Sequence, residues 1–222
     1  TMINVKPRRM SDEIEKLFLY GYGAPVLQQM LDLGLFETVF PVREVNEQFW
    51  TEATRYCDAV NKRGRSIEMP FLLACFLWHS YQQAVSKLKP SSNIRETVNN
   101  AGHKVLSDVT DSISVPNFWR GMIFEIWEMQ TRFELKPKRQ IRTLCEQRGF
   151  IDAVKFLELR DNVDDVSSEI AEWWRRMRRA SEDEKQAMID KLAPDPKKRR
   201  RKRRRSRNKR TGRGGSQENS TN

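Results

Sequence analysis

The chain is poor in the side chains from which most catalytic and metal sites are built. It has two histidines, His79 and His103, and three cysteines, Cys57, Cys75 and Cys145. Two imidazoles far apart in sequence argue against a histidine-ligated metal. Three isolated thiols with no C-x-x-C pair fit buried free cysteines in a reducing compartment, not a zinc site or a disulfide frame. Glycine is sparse, and Gly21-Tyr-Gly23 is no phosphate loop, because no strand precedes it and no Gly-Lys-Ser/Thr follows. G-x-S-x-G and H-E-x-x-H are absent. No apolar run approaches the ~18 residues of a membrane span; Phe71–Trp78 is too short, and the N-terminus lacks a signal-peptide pattern. A soluble cytoplasmic protein is expected. No segment alternates apolar and polar residues as a strand would, so the fold class is all-α.

About nine helices can be placed. The organising one is the stretch Val115 to Glu134, where Pro116 presets a first turn and Phe118, Met122, Ile126 and Met129 recur at helical spacing. Trp119, Ile123, Trp127 and Phe133 widen the stripe, as expected of a helix packed on several sides, and Arg132, Lys136 and Pro137 end it. Before it, Ser11 is expected to cap a first helix, Pro25 to open a second that stops at Gly34, and Leu35-Phe36 with Val39-Phe40-Pro41 to form an apolar corner. A third is expected from about Val45 to Asn61, a fourth from Phe71 to Leu88, and a fifth from Ile94 to Val109. After it come Lys138 to Glu146, Phe150 to Asn162, a helix capped by Asp164, and a short one opened by the capping box Ser181-Glu-Asp-Glu184. The carboxylates Asp164-Asp165 and Glu182-Asp183-Glu184 fall at helix starts, where they read as caps and not as a two-metal site.

Charge divides the chain. Residues 197–222 carry 13 Lys/Arg and one acid, a net of +12, which leaves residues 1–196 at −1. Nine consecutive cations, Lys197, Lys198, Arg199, Arg200, Arg201, Lys202, Arg203, Arg204 and Arg205, are followed by Arg207, Lys209, Arg210 and Arg213. Such a block is expected to be disordered when free and to bind polyanions, above all RNA, by releasing counterions. Without interleaved aromatics it positions a strand and does not read sequence. A solubilising role, nuclear import and an anionic-membrane anchor are the rival readings of the tail. A second cationic group, Arg132, Lys136, Lys138, Arg139, Arg142 and Arg148, flanks the end of the organising helix and is a candidate RNA-facing surface. Trp50, Trp173 and Trp174 could stack bases if exposed, although core packing accounts for them as well.

Three stretches together resemble the C-terminal part of bacterial poly(A) polymerase, in the superfamily shared with CCA-adding tRNA nucleotidyltransferases. Pro7-Arg8-Arg9-Met10-Ser11-Asp12-Glu13-Ile14-Glu15-Lys16-Leu17-Phe18 is similar to the neck motif, continued by Gly34-Leu35-Phe36 and Phe40-Pro41. Ile113 to Arg160 is similar through Glu125-Ile126-Trp127, Gln130, Arg132-Phe133, Arg139, Arg142, Arg148 and Leu159-Arg160. The arginine-rich end resembles the poly(A)-adding branch. The resemblance implies neck helices over 1–41, a helical RNA-binding body over 42–193 and a disordered basic tail over 194–222. It also implies a neck motif of Arg9, Glu13 and Lys16, with Arg9 paired to Glu13, although Ser11 stands where the family has an apolar residue. The implied reaction is templateless transfer of AMP from ATP to single-stranded RNA 3′ ends, assisted by metal ions held on carboxylates of a catalytic head. No D-x-D pair occurs here. The chain alone is therefore expected to be inactive and to bind no cofactor, with ATP and Mg entering only with a head. The other expectation is a headless, non-enzymatic RNA-binding accessory protein.

Overall fold

A computed structural model describes residues 6–40, 42, 46–89, 91 and 93–192. Every regular element among the described residues is helical. They are α1 (Pro7–Leu19), α2 (Gly23–Asp32), α3 (Phe36–Val39), α4 (Glu47–Asn61), α5 (Met69–Phe76), α6 (Trp78–Ser86), α7 (Ile94–Thr110), α8 (Asn117–Leu135), α9 (Ile141–Cys145), α10 (Phe150–Asp161), α11 (Ser168–Arg179) and α12 (Glu182–Asp190).

Twelve helices stand where ten segments are placed from the sequence, because the Phe36–Val39 corner is itself a helical turn and the Phe71–Leu88 helix divides at Leu77. At that division the Trp127 indole donates to the Ala74 carbonyl (3.2 Å) and the Trp50 indole to the Phe76 carbonyl (3.1 Å). Side chains inserted into the carbonyl ladder are a recognised cause of helix breaks. All eight residues of α5 are buried, so it is the innermost helix. The Val115–Glu134 stretch is central in another sense: α8 packs on α5, α7, α10 and α11. Its buried face is Ile123, Ile126, Trp127, Met129, Gln130 and Phe133, while Phe118, expected in the stripe, is 65% exposed.

Two caps differ from expectation. Pro7 at the first helical position starts α1, which puts Ser11 in the second turn, buried, where its hydroxyl accepts from the Ser114 N–H (2.9 Å). The same hydroxyl lies 2.9 Å from the Ser114 carbonyl and 3.0 Å from that of Pro7, so Ser11 ties α1 to a segment 103 residues away. Asp164 adopts a left-handed backbone (φ 58) in the turn before α11, and Ser167 stands at the N-cap. Other expectations hold. Gly34, at φ 63, ends α2 with Gly34 N–H bonded to Leu31 O (3.0 Å) and Leu35 N–H to Met30 O (2.8 Å), the Schellman pattern. The Ser181/Glu184 capping box forms as read. Between α1 and α2, Gly21 takes φ 92, and α4 satisfies both flanks: Asp58 accepts the N–H groups of Gly23 (2.7 Å) and Ala24 (2.9 Å), and Asn61 donates to Leu19 O (2.7 Å).

Packing forms two cores. The larger takes α1 to α7, most of α8 and the Phe156/Leu159 face of α10, with Phe18, Phe36, Phe40, Trp50 and Phe76 in mutual ring contact at its centre. The smaller joins Met129 and Phe133 of α8 to α9, the opposite face of α10, Trp174 and Met177 of α11, and Ile189 of α12. Arg160 sits where they meet. Its guanidinium bonds Asp165 and Glu134 and lies 4.7 Å from the Trp78 ring centroid. The cysteines are free, and burial pushes the Cys57 thiol up to about 12 and Cys75 well above its ordinary value.

Candidate nucleic-acid interface

The cations around the end of α8 fall into two groups. Lys136 closes the helix in a left-handed conformation (φ 42), its N–H bonded to Arg132 O, and the chain then turns at Pro137. Arg132 is engaged by Glu128 (Nε to Oε1, 3.0 Å) and by Gln140. Lys138 donates to the Asp190 and Leu192 carbonyls at 3.0 and 2.9 Å, supplying a cation to the C-terminus of α12. Both therefore hold structure. Arg142 donates to the neutral Gln186 (2.7 Å) and forms no ion pair among the described residues, although its charge helps to lower the Glu182 carboxyl. Arg139 and Arg148 are exposed, with no ion pair or side-chain hydrogen bond among the described residues.

The four arginines of α11 divide in the same way. Arg175 and Arg178 face α10, where Glu158 lies 3.6 Å from each and Asp161 lies 3.4 Å from Arg175. Arg176 and Arg179 are exposed on the other side, toward α12, without an ion pair among the described residues. There, with Lys191, they border an open groove of about 370 Å³ floored by Ala180, Ala187 and Met188. Glu184 also lines it; bonds from the Ser181 N–H (2.8 Å) and hydroxyl (3.0 Å), with the charge of Arg176 nearby, hold its carboxyl below the usual range and direct it at the start of α12. One turn before Arg176, the half-buried Trp173 carries the Lys136 ammonium 5.2 Å from its ring centroid. Arginines in the last turn of a helix complement its dipole, and in the sequence nothing else marks Arg176 and Arg179 apart from one signal that could have found them, the i, i+3 spacing of Arg176 from Trp173.

Trp50 and Trp174 are fully buried, with indole N–H groups bonded to the Phe76 and Phe133 carbonyls, so neither can stack a base. Of the neck residues, Glu13 pairs with Lys16 (3.2 Å) and not with Arg9; all three are exposed on α1. The helix positions Lys16 at i+3 from Glu13, and that short pair forms in place of the i, i+4 pair to Arg9. The tail cations Lys197 to Arg205, Arg207, Lys209, Arg210 and Arg213 lie outside the described residues. Among the described residues no three His, Cys, Asp or Glu side chains converge as metal ligands. Asp165 is taken up by Arg160, Trp78 and Gln82. The described residues thus do not fit a two-metal site. No helix among the described residues is long and apolar enough to cross a membrane.

These features define a class: an all-helical body, near-neutral overall, followed in sequence by a strongly basic end. Residues 90–209 match the family described as "Polymerase A arginine-rich C-terminus", and residues 1–45 match "Probable RNA and SrmB- binding site of polymerase A". The chain belongs to the polymerase A family. It is similar to poly(A) polymerase I of Salmonella typhi, 25% identical over 210 residues covering 88% of this chain and 45% of that protein. It is also similar to poly(A) polymerase I of Haemophilus influenzae, 26% identical over 211 residues (88% and 46%), and of Escherichia coli O6:H1, 24% over 212 residues (88% and 45%). The chain spans about half the length of these curated relatives.

Proposed function

We propose that this chain binds single-stranded RNA near its 3′ end and presents that end for addition of AMP from ATP. The adenylyl transfer itself falls to a catalytic head of the polymerase A family, which would bring ATP and Mg; the cytosol is its proposed location. The observation that carries the reading is the charge split, +12 over residues 197–222 against −1 over the rest, within a chain of a family defined by an arginine-rich C-terminus. Cations at that density attract a phosphodiester chain without selecting its sequence, which suits an enzyme acting on many transcripts.

The test has two arms. The purified chain is expected to retain labelled oligo(A) at low ionic strength and to incorporate no AMP, whereas the chain joined to a family head incorporates it. Polymerisation by the chain alone would overturn the division of labour, and failure to retain RNA would overturn the reading itself. If the joined protein stays inactive while RNA retention persists, the accessory role, which the charge split supports equally, replaces it.

A further inference from the structure

We propose that the groove between α11 and α12 is a subsite for the sugar–phosphate backbone of single-stranded RNA, with the Trp173 indole beside it as a platform for one base. The proposal rests on the RNA-binding reading above and specifies where on the folded body the strand lies.

Arg175 and Arg178 meet acids of α10 or α11, but Arg176, Arg179 and Lys191 border one cleft without an ion pair among the described residues. Three cations against the single carboxylate lining this cleft leave it locally positive on a body of net −1, a field that a polyanion would relieve. The carboxylate among the lining residues, Glu184, is hydrogen-bonded to Ser181 and offsets only part of that charge, through Arg176. At about 370 Å³ the groove falls in the range of ligand sites, and its floor of Ala180, Ala187 and Met188 suits the apolar faces of ribose and base. Trp173, on the same flank of α11 one turn before Arg176, supplies what the tail lacks, an aromatic face. A stacked base takes the place of the Lys136 ammonium now 5.2 Å from that ring, and frees it for a neighbouring phosphate. The occupant is a nucleic acid and not a bilayer, because the cations border a concavity that a flat surface cannot enter. Nor is it the chain's own basic end, which carries the same sign of charge.

The test measures binding of the full chain to a short oligo(A) as a function of salt. Replacing Arg176, Arg179 and Lys191 together by alanine is expected to flatten the slope of log K against log salt by about 2, at roughly 0.7 per phosphate no longer neutralised. A control removing three exposed cations elsewhere, K62A/R63A/R65A, leaves it near the wild-type value. All six positions are exposed, so folding is expected to persist, as thermal melts would verify. Trp173→Ala is expected to weaken oligo(A) binding on the order of tenfold and leave an abasic strand of equal length unaffected, with Trp173→Phe retaining most of the affinity. An unchanged slope in the groove variant, or an equal fall in the control, overturns the subsite while wild-type binding keeps the RNA-binding reading intact. Equal weakening toward both strands overturns the stacking role. A groove variant that loses phosphatidylserine vesicles but keeps RNA assigns the cleft to lipid and overturns the proposal. Absence of wild-type binding fells both readings.

Discussion

Arg160 is the most demanding residue of the fold. Its side chain is 3% exposed, with Nε 2.7 Å from Asp165 Oδ2, one terminal nitrogen 2.9 Å from Glu134 Oε1 and the other 3.2 Å from the Asp165 carbonyl. Gln130, itself bonded to Ala153 O, accepts a further bond at 3.4 Å. Replacing Arg160 by methionine keeps most of the apolar stem but leaves the Asp165 carboxylate, 17% exposed, with only the Trp78 indole (2.8 Å) and Gln82 (3.3 Å) as donors. Breaking a buried pair from one side costs about 3–5 kcal/mol, because the orphaned charge remains. Against a total stability of about 5–15 kcal/mol this is a large fraction. With a urea m-value near ~2 kcal/mol/M, the midpoint should fall by roughly 1.5–2.5 M. Adding Asp165→Asn removes the stranded charge and is expected to return about 1–3 kcal/mol. The assay is urea unfolding followed by tryptophan fluorescence and far-UV circular dichroism. A cost below about 1 kcal/mol for the single variant, or no recovery in the double one, would refute the reasoning.

Other consequences are smaller. Ser11→Ala removes the link between α1 and Ser114 and should cost about 1 kcal/mol in the same assay; no loss would mean that the Ser114–Pro7 backbone bond carries the junction alone. Burial, with Glu68 and Glu125 nearby, raises the Asp152 pKa, so its charged form is disfavoured in the folded state. A group whose pKa rises on folding contributes stability below its unfolded value and loses it as pH climbs through the folded one. Asp152→Asn should therefore stabilise at about pH 7 and be neutral near about pH 3, read as melting temperature against pH. With Cys57 pushed up to about 12, Cys145 up to about 11 and Cys75 well above its ordinary value, alkylation at about pH 8 should be slow in the native protein and rapid in urea.

Features encoded by neighbours in sequence were readable, and those encoded by distant partners were not. Ser181 and Glu184 form their capping box within four residues, and Gly34 and Gly64 supply positive φ just beyond α2 and α4. Ser11 has the same cap-like surroundings, yet Pro7 already starts the helix and the hydroxyl serves Ser114 instead. The division at Leu77 depends on indoles arriving from α4 and α8, which no local pattern announces. The candidate interface follows the same rule. Arg132 and Arg139 look alike in the sequence, but Glu128 and Gln140 occupy the first and no described residue occupies the second. Arg175 and Arg176 are adjacent, and the helical turn sends one to the acids of α10 and the other to the groove.

The measurement that bears most directly on the whole account is the salt dependence of oligo(A) binding by the chain cut after Pro196, compared with the full chain. Removing the 13 Lys/Arg beyond that point should sharply reduce retention at low ionic strength. The slope should flatten by roughly 0.7 for each phosphate left without its cation, down to the shallow residue set by the body's own cations. Undiminished retention with an unchanged slope would contradict it.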